Sequence, residues 1–245
     1  MAAKSKLLTE RQKQNRNLLM GLIFLAIFSG VFFLGTQFRA PAVEDSPRDM
    51  KQLLRTEPAS SYELTVRDTD SAILVIAPHG GTIEPFTSTI ASGIAGEAFD
   101  YFEFKGLLEK DAYARLHIPS IHYNPDELRD INLASEVTLS VHSVSGKDKT
   151  IYLGGRDEMG VQILQRHLQE AGFHVEAAPE DHAGLDPRNF VNKNGRGMGI
   201  QMEMTLSQRR ALFTKRDEAR PNKTYDQFTK AVADALIEIE AAIVE

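Results

Sequence analysis

The stretch Ala72-Ile73-Leu74-Val75-Ile76-Ala77-Pro78-His79-Gly80-Gly81-Thr82-Ile83-Glu84-Pro85 decides how the chain is read. Its apolar residues run without alternation, which predicts a strand over 72–77 buried on both faces of a sheet. Turn chemistry follows at once, with Gly80 and Gly81 able to adopt backbone conformations closed to other residues. His79 and Glu84 therefore fall at the carboxyl end of a core strand, where open α/β sheets bind their ligands.

Working outward, strand and helix patterns alternate. Helices are expected over 83–95, 107–112, 124–134, 157–171 and 225–243, and a possible short one near 50–55. Strands are expected over 99–104, 136–142, 150–153, 173–177 and 199–204. Gly172 closes the 157–171 helix, as glycine commonly does. Such alternation predicts an α/β fold with helices packed over a largely parallel sheet.

Composition narrows the chemistry. The chain has 245 residues and no cysteine, so disulfides, cysteine–zinc sites and thiol catalysis are excluded. A net charge of −6 argues against nucleic-acid binding. Residues 1–17 are polar and basic. Leu18–Gly35 then forms an uncharged apolar run of 18 residues, near the ~20 that span a bilayer as a helix. Five basic residues precede the run, which predicts a signal anchor over 18–38 with the bulk of the chain outside the cytoplasm, periplasmic or extracellular. A cleaved, secreted form is the lesser reading, because the run is long for a signal peptide and Ala40-Pro41-Ala42 is a poor exit. Residues 39–60 lack apolar periodicity and read as a tether, leaving 61–245 as the folded domain.

Among the seven histidines, His142 ends the expected strand 136–142. His79, His142 and Glu84 can converge if their strands lie in one sheet. Two imidazoles and a carboxylate form a usual catalytic zinc set. Such a metal needs a proton-handling group nearby, and Glu203, a carboxylate in the otherwise apolar strand Gly199-Ile200-Gln201-Met202-Glu203-Met204, suits that role. Burial there would raise its pKa. Taken singly, each residue has an ordinary structural reading; it is their joint placement that predicts a site.

Five blocks in fixed order carry a resemblance: Ala77-Pro78-His79-Gly80-Gly81-Thr82-Ile83-Glu84-Pro85, Leu116-His117-Ile118-Pro119-Ser120, Ser140-Val141-His142, Leu153-Gly154-Gly155 and Gly199–Thr205. From about Leu74 to Arg210 the chain resembles the phage-type poly-γ-glutamate hydrolase family. That resemblance implies a zinc carboxypeptidase-like fold, three layers α/β/α around a mixed, largely parallel central sheet. It also implies that His79, Glu84 and His142 bind zinc and that Glu203 is the catalytic carboxylate. His117 would border the site. The five-residue step from His79 to Glu84 fits this family rather than ordinary carboxypeptidases, whose step is three.

The expected activity is zinc-dependent hydrolysis of γ-glutamyl amide bonds by a membrane-anchored enzyme. Its partner would be a polyanionic γ-glutamyl polymer or a cell-wall peptide. On an acidic chain, local cations must hold the substrate carboxylates, and Arg156, Arg188 and Arg196 are the candidates, because arginine grips a carboxylate with two parallel hydrogen bonds. A peptidoglycan amidase or γ-glutamyl carboxypeptidase is the alternative enzyme. An inactive envelope-binding module is the alternative from another class.

Overall fold

The computed structural model describes residues 48–216 and 220–244. Seven strands form one mixed sheet: β1 (Tyr62–Arg67), β2 (Ile73–Gly81), β3 (Asp100–Gly106), β4 (Val137–Val144), β5 (Ile151–Gly155), β6 (Val175–Ala177) and β7 (Ile200–Thr205). Their spatial order is β1-β3-β2-β4-β7-β5-β6. The pairs β2–β3, β2–β4, β4–β7 and β5–β6 are parallel, whereas β1–β3 and β5–β7 are antiparallel.

Apolar residues of the sheet feed two cores, with β2 and β3 contributing to both. Ile73, Val75, Leu139, Val141, Ile200 and Met202 point to one face. There they meet α2 (Thr87–Ala95), α5 (Glu158–Glu170) and α7 (Lys223–Val244) through Ile90, Leu164, Leu168, Phe228 and Leu236. Leu74, Ile76, Phe102 and Phe104 point to the other face. They pack on α1 (Met50–Thr56), α3 (Ala112–Leu116) and α4 (Asp126–Ala134), with Tyr123 and Phe190 between them. The three-layer α/β/α arrangement with a mixed, mainly parallel sheet is thus observed. A short α6 (Leu206–Ala211) follows β7 directly.

The expected fold class also carried a membrane-crossing helix ahead of this domain, and on that point it is corrected. Among the described residues, no helix is long and apolar enough to cross a membrane. The segment assigned to that helix, 18–38, lies outside the described residues. Within the span read as a tether, α1 buries Met50 and Leu53 in the core.

Several boundaries move for identifiable reasons. β2 continues past Pro78 because Gly80 and Gly81 pair with Lys105 and Gly106 of β3 beyond a register shift. The helix expected from Ile83 therefore starts only at Thr87, and Glu84 sits in the turn between. Gly81 has φ +63°, and a Cβ there would run into the Gly106 carbonyl, so glycine is required. The helix expected over 107–112 lies instead at Ala112–Leu116, after Asp111 takes a left-handed conformation. His174, expected inside a strand, precedes β6. The edge strand β1 had not been anticipated.

Because β3 and β4 flank β2 on opposite sides, the chain reverses its winding direction at β2. A crevice forms outside the carboxyl ends of strands at such a switch point. His79, His142 and Glu203 stand there on the neighbouring strands β2, β4 and β7.

Candidate active site

His79 is almost wholly buried. Its Nε2 lies 2.8 Å from the Ile118 carbonyl. A carbonyl only accepts, so this nitrogen carries a proton. Nδ1 is buried with no hydrogen-bond partner, yet stands 3.2 Å from Glu84 Oε1. The other Glu84 oxygen accepts the Ser143 amide at 2.9 Å. The turn that presents Glu84 is closed by its own N–H on the His79 carbonyl at 2.9 Å and by Thr87 Oγ1 on the Glu84 carbonyl at 2.7 Å. Arg209, a buried residue of the short helix 206–211 after β7, donates to the Pro85 carbonyl from Nη1 and to Met204 O from Nε, tying this turn to the end of β7.

His142 arrives from β4. Its Nε2 is also buried and unpartnered. Burial first, and the His79 ring second, push its pKa well below the ordinary value, so the ring is neutral. One ligand atom from each of His79, Glu84 and His142 lies within 4.8 Å of the others.

These atoms fit a zinc ion. His79 Nδ1 and Glu84 Oε1 stand 3.2 Å apart, and His79 Nδ1 is buried with no hydrogen-bond partner. Neighbouring ligands of a tetrahedral zinc with bonds of ~2.0–2.2 Å stand at about that separation. The outer hydrogen bonds of His79 to Ile118 and of Glu84 to Ser143 aim the donors, as second partners of metal ligands do.

Glu203 lies across from this group, since His142 and Glu203 are register partners in β4 and β7. Burial, with a smaller push from the Glu84 carboxylate, raises its pKa to about 8. Its Oε1 accepts from Gln201 Nε2 at 3.0 Å, while Oε2 is buried and unpartnered. Gln201 is itself held: its Oε1 accepts from Asn189 Nδ2 at 2.9 Å, and its Nε2 also reaches the His182 carbonyl at 2.9 Å. One carboxylate oxygen is thereby fixed and the other left available.

All four residues line a single open cleft of ≈ 520 Å³. His117 lines it too, with Nε2 3.8 Å from Glu84 Oε1 and its ring 4.1 Å from that of His79. Burial and His79 drive its pKa down to about 3. Tyr113 stacks on the outer face of His117 at 4.3 Å.

The three arginines scatter. Arg188 is ion-paired to Asp186, which lines the cleft, and itself lines a neighbouring groove. Arg196 is bound to the buried Asp157 at 2.8 Å, and neither it nor the exposed Arg156 is among the residues lining the cleft. Sequence reasoning did not find Gln201, Asn189, His182 or Tyr113. For Gln201 a signal existed, because it sits two residues before Glu203 and strand alternation puts both on one face.

Comparison with known proteins identifies the family and relatives of the same fold. A family model described as poly-gamma-glutamate hydrolase matches residues 48–234. YndL of Bacillus subtilis (strain 168) is 32% identical over 210 residues, covering 82% of this chain and 82% of its own. The SPbeta prophage-derived protein YoqZ of the same organism is 32% identical over 185 residues, covering 75% of this chain and 67% of its own. The zinc-free apo form of YndL superimposes with a TM-score of 0.74 at 30% identity, covering 78% of this chain and 97% of that one. A bacteriophage poly-gamma-glutamate hydrolase shares the fold, with a TM-score of 0.74 at 24% identity over 80% of this chain and 98% of that one. The match across 48–234 spans the sheet and every residue of the cleft described above, and the chain belongs to the poly-gamma-glutamate hydrolase family and is a hydrolase.

Proposed function

We propose that the protein is a zinc-dependent amidase that cleaves the γ-glutamyl amide bonds of poly-γ-glutamate, with His79, Glu84 and His142 holding the metal and Glu203 moving the proton. The observation that carries this reading is the meeting, within 4.8 Å, of ligand atoms from the buried residues His79, Glu84 and His142 beside a Glu203 carboxyl with one unpartnered oxygen. That the relative YndL has a structure designated zinc-free supports the choice of metal.

Zinc bound there supplies a Lewis acid that polarises the scissile carbonyl and makes water more acidic at neutral pH. The protein's own residues do the rest. Glu203 Oε2 takes a proton from the attacking water and returns it to the leaving amine. A pKa near 7–8 suits a group that must both accept and donate. Gln201 keeps Oε1 occupied, so the carboxylate cannot rotate away from the cleft. The neutral His117 and the Tyr113 ring cover one side of Glu84 and limit water there.

The test is metal analysis of the purified chain together with hydrolysis of poly-γ-glutamate and of peptidoglycan fragments. About one zinc per chain and cleavage of the γ-linked polymer are expected, with activity lost on chelation and regained with zinc. Cleavage of peptidoglycan fragments alone, or of the polymer without any metal, overturns the reading.

A further inference from the structure

The cleft continues beyond the residues that would carry the reaction. Its wall at the single turn Ser120–His122 is shared, since Ile121 lines both the cleft and a second groove of ≈ 480 Å³. The groove is floored by Tyr123 and Phe190, whose ring centroids are 5.2 Å apart. Phe190 in turn lies 6.1 Å from the His142 ring. The groove therefore backs onto the aromatic wall behind the candidate metal ligands.

Its rim is basic. Lys51, Arg129, Arg188 and Lys193 line it, against the single acid Asp49, on a chain of net charge −6. A depression elsewhere on the domain is lined by Asp68, Asp70, Asp100, Glu127 and Asp130 with no lysine or arginine, so the groove is a local reversal of sign. Arg129 is already shared between Asp126 and Asp130, and Arg188 is paired with Asp186. Lys51 and Lys193 make no ion pair among the described residues and are exposed. An incoming carboxylate meets those two ammonium groups without breaking an ion pair, and Lys193 also acts at longer range on Asp186.

We propose that this groove is a distal binding site for the carboxylates of a polyanionic γ-glutamyl chain that enters the catalytic cleft around the Ser120–His122 turn, with Lys51 and Lys193 as its main contacts. The proposal rests on the function proposed above and adds to it a polymer-binding subsite away from the bond that is cut. Single contacts of exposed ammonium groups are weak and screened by salt. A polymer with a carboxylate on every unit engages the groove and the cleft together, and the second contact then occurs at high effective concentration.

The test uses the full chain carrying Glu203→Gln, so that the polymer is not consumed, and measures binding of fluorescently labelled poly-γ-glutamate at several salt concentrations. Lys51→Glu with Lys193→Glu is expected to weaken binding roughly tenfold or more at low salt and to flatten its salt dependence. Lys223→Glu with Lys230→Glu, on α7 in the opposite helical layer, changes net charge equally and is expected to leave binding intact. If the two double variants behave alike, whether both bind or both fail, the groove assignment is overturned. Failure of the wild-type chain to cleave the polymer would instead sink the proposed function, while a selective binding loss in the groove variant would still stand as evidence for a polycarboxylate site.

Discussion

The floor of the cleft and its charged surroundings are built on different principles. His79, Glu84, His142 and Glu203 are each at most 5% exposed, and each is placed by strand register or by a turn closed with backbone hydrogen bonds. The cations around the cleft stand on loops and short helices; the Arg188 side chain, at 66% exposure, is held only by a near neighbour in sequence. Reactive groups need fixed geometry, because a misplacement of about 1 Å can cost ~100-fold in rate. Charge recognition acts over a Debye length and tolerates movement. The floor should therefore answer mutation with large, all-or-none losses, and the surroundings with graded ones.

The largest expected effects are on the floor, and they separate two roles. His142→Ala should lose both bound zinc and hydrolysis. Glu203→Gln keeps the shape and should keep zinc, while polymer hydrolysis falls on the order of 10²–10⁴-fold. Metal content and rate measured on the same preparations decide this, and an active Glu203→Gln protein would remove the residue from the mechanism.

Gln201 tests whether the fixed character of the floor extends one layer outward. Gln201→Leu deletes the donor to Glu203 Oε1 with little change in size. Loss of an outer partner of this kind typically costs ~10–100-fold, here with zinc retained. The pH profile gives a second readout. The Gln201 hydrogen bond lowers the Glu203 pKa, so its loss raises that pKa, and the acid limb of the rate profile should move to higher pH. A profile that stays in place would mean that Gln201 only fills space.

The same contrast explains what could be read from the chain. The buried strand Ile73–Ala77, the His79 and Glu84 pair that follows it and the carboxylate in β7 were legible because burial on a sheet leaves a strong imprint: a polar residue in an apolar run has a cost that must be met. The edge strand β1 left a weak imprint, as it is half-exposed along its length. The helix displaced from 107–112 to Ala112–Leu116 was set by a left-handed residue at Asp111, which composition does not reveal. The arginines were legible as a type of residue but not as positions, since a long exposed side chain goes wherever its loop takes it. Ile118, whose carbonyl sets the proton position on His79, contributes only backbone and leaves no side-chain signal at all.

A stability experiment carries the comparison to α1, which looks like surroundings in the sequence but packs like floor. Leu53 is fully buried, and its neighbour Leu54 is 36% exposed. Leu53→Ala should cost about 2–5 kcal/mol in denaturant unfolding, through lost burial and the cavity left behind. Leu54→Ala should stay within about 0.5 kcal/mol. Equal effects would mean that α1 is only loosely attached.

The smallest effects are expected at the arginines outside the cleft, and here the two regions can be told apart within one residue type. Arg196 binds Asp157, a 2% exposed carboxylate that also caps α5 through the Gly160 amide at 2.9 Å. Arg196→Ala leaves that acid buried without its cation, so the domain should lose stability while KM for the polymer holds. Arg156 is exposed and lines neither the cleft nor the basic groove, and Arg156→Ala should change neither stability nor KM measurably. A raised KM in the Arg156 variant would put a substrate contact on the far side of β5, and the polymer would then have to cross the molecule by a different path from the groove beside Ser120–His122.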